Sequence, residues 1–230
     1  MSPPLIVFRP EPGASATAKR ARAEGWAVTL LPLFEIVPIA WQPPDADNFD
    51  AVLMTSANAV RCGGPRLADY HGLPLYAVGG QSAEAARKYG FGTVIAGETN
   101  VAELADRIRA EGAVRLFHPC GEHRRTFDES GLGIVHVPVY AARRTAPPDL
   151  AQAIGDEAIL LVHSPRAARY LDTLCTAQSI ARGTVSLVAI SEAALAEAGT
   201  GWRAALAAER STDAAMLAAA SSLGGRSAIG

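Results

Sequence analysis

The residues of this chain best suited to chemistry are hydroxyls and glycines that follow short apolar runs. Ala158 to Tyr170, AILLVHSPRAARY, reads as a strand that ends in His163-Ser164-Pro165 and turns straight into a helix. Serine ahead of proline is a helix-start signal, because the hydroxyl accepts an orphan N–H and proline at the first helical position lacks one. Such a junction also offers free N–H groups to an anion. The earlier stretch Ala51 to Val60, AVLMTSANAV, has the same design, with Ser56 in the place of Ser164. In open α/β sheets ligands sit beyond the carboxyl ends of the strands. The residues expected there are Arg9, Thr55, Ser56, Asn58, Gly79, Gly80, Ser82, His118, Gly121, Ser164, Arg166 and Ser191. Taken singly, each Ser or Thr is a helix cap; taken as a set of small, N–H-rich positions, they suit an anionic small molecule.

Other chemistries are less well provided for. Gly79-Gly80 departs from GxGxxG and lacks a placed acidic partner, so no nicotinamide cofactor is expected. There is no GxSxG elbow for a serine hydrolase. His118 and His123, five apart across a loop, have a poor metal spacing and read as loop histidines, so no metal is expected. Arg124-Arg125 and Arg143-Arg144 read as solvated surface charge. The second pair shares an extended segment with Tyr140, whose plain reading is a packed aromatic.

The elements that would position these residues alternate along the chain. Leu5 to Phe8 is a strand, a helix runs from Ala14 to Glu24, and Ala27 to Leu31 is a second strand that continues through Pro32 to Pro38 as an extended segment. Two prolines there forbid a helix and discourage a central strand position. After a proline-rich, acidic stretch at Trp41 to Asp47 come a strand at 51–55, a helix from Ser56, a strand at 75–78, a helix from Ser82, a strand at 93–96 and a helix from Asn100. Asn100 and Glu103 have capping-box spacing. The next strand, Val114 to Phe117, leads into a polar helix to about Ser130, and the strand Gly133 to Val137 runs on as an extended segment to Arg144 before Pro147-Pro148. The strand from Ala158 that ends in His163-Ser164-Pro165, strands at 186–190 and 202–207, the helices between them and a final apolar helix from Thr212 complete the chain.

The chain also repeats itself. Phe8-Arg9-Pro10 echoes Phe117-His118-Pro119, Pro32-Leu-Phe echoes Pro138-Val-Tyr, and Ser56 echoes Ser164. The offset is roughly 110 residues, far above the 20–50 residues of a solenoid. Two α/β domains are therefore expected. Because domain boundaries prefer proline-rich linkers, one domain is assigned to 1–36 with 145–230, the other to 41–136, and 37–40 with 137–144 to a two-stranded crossing linker. Each is expected to hold five strands in a mainly parallel, doubly wound sheet, and a hinge would turn their similar edges toward one cleft.

Bulk composition narrows the class further. With 230 residues, 49% hydrophobic and 19% charged, the chain can bury its own cores without a metal or disulfide. A formal net charge of −2 supplies no basic field for nucleic acid. Cys62, Cys120 and Cys175 are odd in number and far apart, as for reduced cytosolic thiols. No apolar run suits a membrane span, and the first residues lack a targeting pattern, so a cytoplasmic location is expected; the chain is also expected to be a monomer.

The assembled pieces resemble the uroporphyrinogen-III synthase family. Arg9-Pro with Gly13, Thr55-Ser56-Ala-Asn58-Ala-Val60, Tyr76-Ala-Val-Gly79 with Ser82-Ala83, Val137-Pro-Val-Tyr140 and Ser164-Pro165-Arg166-Ala167 match it in order and spacing over essentially the whole chain. The resemblance implies two α/β domains and a cofactor-free enzyme that closes linear hydroxymethylbilane into uroporphyrinogen III. Loss of the terminal hydroxyl would give an azafulvene, and a spiro intermediate would invert the last pyrrole ring. It further implies that Tyr140 is the catalytic residue and that the hydroxyls and N–H groups above hold substrate carboxylates in the inter-domain cleft. One departure is Ser191-Glu192-Ala193-Ala194, where relatives have Gly-Pro-Thr-like residues, so a hydroxyl near Ala193 or Ala194 is missing. The alternative is a two-domain cytosolic sensor that binds an acidic small molecule without turning it over.

Overall fold

Short β-branched runs alternate with alanine-rich segments, and in the computed structural model this alternation becomes sheets flanked by helices. The structure describes residues 3–97, 101–124, 126–145, 147, 149–155 and 157–225. In chain order its strands and α-helices are β1 (Leu5–Val7), α1 (Gly13–Ala23), β2 (Val28–Leu30), β3 (Phe34–Pro38), β4 (Ala51–Met54), α2 (Ala57–Cys62), β5 (Leu75–Val78), α3 (Gly80–Tyr89), β6 (Val94–Gly97), α4 (Val101–Ala110), β7 (Arg115–Gly121), β8 (Gly133–Arg144), α5 (Leu150–Ile154), β9 (Ile159–Val162), α6 (Pro165–Ala177), β10 (Ser186–Ala189), α7 (Glu192–Ala196), β11 (Ala204–Ala207) and α8 (Asp213–Leu223). The chain divides into two compact units, Met1–Glu35 with Arg144–Gly230, and Ile36–Arg143. Asn100, Arg125 and Pro148, read above as a helix cap, a surface charge and part of a linker, lie outside the described residues.

The first unit carries the sheet β11-β10-β9-β1-β2. Its paired strands are all parallel. Both faces are covered, which is why β9 and β10 are buried at every position rather than alternating. Leu5, Val7, Ile159, Leu161 and Val188 face α1 and α8, where Ala14, Ala21, Met216, Leu217 and Ala220 close the core. Each fully buried Leu, Val or Ile contributes about 1.5–3 kcal/mol over an exposed one.

Asp213 is a buried charged residue beside that core. Its carboxylate is buried at the first position of α8, where it accepts from Thr17 Oγ1 at 3.1 Å and from Arg9 Nη1 at 3.1 Å. Arg20 also donates to it, and His163 Nε2 lies 3.4 Å away. Burial alone would push the carboxyl up, but His163, Arg9 and the Thr17 hydroxyl outweigh it and hold the pKa at about 2. The group therefore ties α8 to α1 and to the loops after β1 and β9.

The second sheet has the order β3-β8-β7-β4-β5-β6. It has six strands where five were expected, because the extended segment ending at Pro38 joins as β3 and the segment through Arg144 is one continuous strand, β8. Pro138 sits beside a register shift between Cys120 and Gly121, a position where a missing N–H is tolerated. One face buries Phe49, Tyr70 and Phe117 beneath α2 and α3, with the Tyr70 and Phe117 rings stacked 4.0 Å apart. The other packs Leu53, Tyr76 and Leu116 on Leu104 and Ile108 of α4.

Two local expectations are corrected, and one further helix is found. Residues 122–130 form no helix among the described residues: the Asp128 carboxylate accepts from both the N–H and the hydroxyl of Ser130, and Arg109 donates to the carbonyls of Asp128 and Ser130. Those backbone groups are committed to a turn instead. Helix α3 begins at Gly80, so Ser82 lies inside it and is not its cap. A short helix α5, capped by the Asp149 carboxylate on Gln152 N, was not anticipated.

Since Asp213 titrates near 2 when folded, against about 3.9 when unfolded, its contribution is complete above pH 4 and is lost as pH falls toward 2. Asp213→Asn is expected to cost about 2 kcal/mol of stability at pH 7 and progressively less below pH 4. Denaturant melts at several pH values test this. An equal deficit at neutral and strongly acid pH would contradict it.

Candidate functional site

In the second unit, parallel pairing brings residues distant in sequence to one edge. Thr55 and Ser56 leave the carboxyl end of β4. Ser56 has extended backbone, φ −151° and ψ 134°, and its Oγ accepts from Asn58 N at 3.2 Å as the cap of α2. Asn58 is itself engaged, its Oδ1 accepting from Arg61 Nη1 at 3.0 Å.

Tyr140 of β8 reaches the same place. Gly121 pairs with Tyr140 across the β7–β8 ladder, and a Cβ on Gly121 would stand 2.8 Å from Tyr140 Cζ and 2.9 Å from Oη. The glycine thus makes room for the ring. Burial pushes the Tyr140 phenol above its usual value, and a hydrogen bond with the Ser56 hydroxyl works in the opposite direction. The net shift is upward, so the phenol is a proton donor at neutral pH.

Gly79 opens α3 with φ 77°, a left-handed conformation that favours glycine, and no side chain caps the helix. A Cβ on Gly79 or Gly80 would meet nothing within 4 Å, so the approach to the first turn of α3 is open, although the Gly79 N–H itself donates to the Gly97 carbonyl at 3.1 Å. A ten-residue helix with an uncapped, unobstructed start favours an anion. Ser82, buried one residue pair further on, lines the first turn.

His118 is not a loop histidine. It lies within β7 and is 1% exposed, with Nε2 2.9 Å from Thr55 Oγ1 and Nδ1 2.8 Å from Nδ1 of His136 on β8. Nε2 of His136 is 3.1 Å from Glu129 Oε2. Burial, with His136 and Arg124 nearby, lowers the His118 pKa to about 3. The chain Thr55–His118–His136–Glu129 was missed because its members come from three segments; the usable signal was the strand period that sets His118 and Cys120 on one face. His123 lies past the strand, 3.8 Å from Glu122.

The strand ends of the first unit are more fully occupied. Ser164 accepts from Ala167 N at 3.1 Å and Ser191 from Ala194 N at 3.3 Å, each as a helix cap. Arg9 serves Asp213, and the Arg166 guanidinium lies 4.6 Å from the Phe34 ring centroid. Ala194 is fully buried, which leaves Ser191 as the hydroxyl at that turn. Arg143 and Arg144 are exposed, as expected of surface charge, and each has a partner: Arg143 pairs with Glu122 at 2.8 Å, and Arg144 lies 4.6 Å over the Tyr170 ring.

Comparison with known proteins places this geometry in context. A family model described as uroporphyrinogen-III synthase HemD matches residues 15–218. Among solved structures, a uroporphyrinogen-III synthetase from Helicobacter pylori is similar with 17% identity and a TM-score of 0.66, over 96% of this chain and 99% of that one. A mutant uroporphyrinogen III synthase from Thermus thermophilus is similar with 14% identity and a TM-score of 0.52, over 95% of this chain and 97% of that one. At such identities these two likenesses speak to the fold alone. No curated protein matches.

Gly121→Ala is expected to destabilise by about 1–3 kcal/mol through overpacking against Tyr140. Most of that loss should vanish in a Tyr140→Ala background, since the ring is what the new methyl meets. A double-mutant cycle checks it. Strict additivity would mean that the two residues do not press on one another.

Proposed function

We propose a working site from one premise: the chain belongs to the uroporphyrinogen-III synthase family. It is an enzyme that cyclises hydroxymethylbilane to uroporphyrinogen III, losing water and inverting the last pyrrole ring. The reaction asks for two things of a protein. Several carboxylates must be held without a strongly cationic surface, and a hydroxyl must leave from one end of a flexible chain.

The proposed anion contacts in the second unit are the Thr55 and Ser56 hydroxyls, the Asn58 side-chain amide at the start of α2, and Gly80 to Ser82, after Gly79, at the open start of α3. Gly121 contributes by its smallness. In the first unit the corresponding groups are Ser164, Arg166 and Ser191, with their helix N–H groups. Arg9 is assigned a supporting role, holding α8 through Asp213. Each such contact supplies a charge-assisted hydrogen bond of roughly 1.5–3 kcal/mol where it is buried.

Tyr140 is the proposed catalytic residue. Its phenol lends a proton to the leaving oxygen as the C–O bond breaks, so that water departs; the proton released when the closing ring regains aromaticity restores it. Bilane ionisation is easy beside the task of holding the chain curled for inversion, so positioning supplies much of the rate. The observation that carries this reading is the half-buried ring of Tyr140 seated over Gly121 at the strand edge where Ser56 caps α2, with the open start of α3 following β5 of the same sheet.

Single-turnover measurement with hydroxymethylbilane, followed by oxidation and isomer analysis, tests the proposal. Wild type is expected to yield the type III isomer faster than the type I isomer forms unaided. Tyr140→Phe should keep the fold and lose on the order of 10²-fold in rate, the lower end for a general acid. An unchanged rate in Tyr140→Phe would return the residue to a packed aromatic. A protein that binds the bilane without raising type III formation would be a sensor module instead.

A further inference from the structure

We propose that His118, Cys120 and His136 form a binding site for a thiophilic divalent transition metal, with zinc the best-matched ion. Residues 118 and 120 are two apart on β7 and so share a face. His136 stands directly across from His118 in the parallel β7–β8 register. Three donors thus arise from two paired strands, a more rigid base than a loop. One ring nitrogen from each imidazole and the Cys120 Sγ all lie within 4.8 Å of one another.

The outward ends of both imidazoles are anchored to oxygen. Nε2 of His118 is 2.9 Å from Thr55 Oγ1, and Nε2 of His136 is 3.1 Å from Glu129 Oε2. Ligating histidines are held in this way, with the distal N–H donated to a hydroxyl or carboxylate so that the proximal nitrogen keeps its lone pair. If both Nε2 atoms donate outward, the two Nδ1 lone pairs face each other at 2.8 Å, which is repulsive without a cation between or beside them. In the metal-free protein one ring must adopt the other tautomer so that a proton bridges the nitrogens. A metal ion takes over the role of that proton.

Donor type and space select the ion. Two imidazoles and one thiolate match zinc and its softer neighbours and suit calcium or magnesium poorly. Tetrahedral zinc with bonds of about 2.0–2.1 Å needs nitrogens about 3.3 Å apart, so the rings part by roughly half an ångström on loading. Cys120 is a free thiol, 1% exposed, and His118 is equally buried. The His136 side chain is 15% exposed, which gives an ion and a fourth, water ligand a way in. None of the three residues takes part in the reaction proposed above.

Titration of the full-length protein with cobalt(II), then zinc(II), under reducing conditions tests the site. One cobalt per chain is expected, with the intense near-ultraviolet sulfur-to-cobalt absorption that thiolate ligation produces, and zinc should abolish it. Cys120→Ser should remove that band. His136→Gln, on the partly exposed ligand, and Glu129→Gln, behind it, should each weaken zinc by about tenfold or more, with unchanged circular dichroism confirming the fold. Cys62→Ser and Cys175→Ser should bind as wild type does. A sulfur band that survives Cys120→Ser, or zinc affinity indifferent to His136→Gln and Glu129→Gln, would overturn the proposal.

Discussion

The parallel pairing of β4 with β7, and of β7 with β8, is the constraint on which the second unit depends. Parallel strands all end on the same edge, so a residue just past one strand meets residues just past the next, whatever the sequence distance. Asp50 fixes the start of that pairing: its carboxylate accepts from the N–H groups of Val114 and Arg115 and from the Arg115 guanidinium at 2.9 Å. Hydrogen bonds from the Arg115 side chain, then those from the backbone, hold the Asp50 pKa at about 2. From that anchor the register runs Ala51 to Leu116 and Val52 to Phe117. A shift of one residue would turn Phe117 out of its stack with Tyr70 and carry His118 away from Thr55.

The same ladder explains why Tyr140 can do more than fill space. The register shift at Cys120 and Gly121, beside Pro138, sets the Tyr140 ring over a residue without a side chain. Its hydroxyl then meets Ser56, which is already held by its duty as a cap. A phenol placed in this way is costly to ionise and cheap to use as a donor, because burial penalises the phenolate and leaves the neutral form untouched. Rigidity comes from the sheet, and openness comes from Gly79 and Gly80.

Much of this was legible because local rules and tertiary structure agree. Ser56, Ser164 and Ser191 read as caps from neighbouring residue types, and all three accept from an N–H of the following turn. Uniformly apolar runs such as Ile159 to Val162 read as parallel strands for the same reason that they are buried. What escaped depends on partners far along the chain. The Arg9–Asp213 pair spans 204 positions, and the His118–His136 contact needs β8 to lie beside β7. The polar stretch after Gly121 has a composition that a helix could accept, yet Asp128, Ser130 and Arg109 compete successfully for its backbone. Pro32 to Pro38 reads as extended backbone unsuited to a central strand, and β3 lies at the edge of its sheet, where a lost N–H costs least.

The central claim is that the carboxyl ends of β4, β5, β7 and β8 bind the tetrapyrrole. The most direct measurement is an amide chemical-shift titration of isotopically labelled protein with uroporphyrinogen III, kept reduced. The predicted result is a contiguous set of perturbations at Thr55 to Asn58, Gly79 to Ser82 and Gly121 with Tyr140, leaving the opposite ends of the same strands, around Asp50 and Arg115, unmoved. Perturbations centred on those opposite ends, or on neither edge of this sheet, would contradict it.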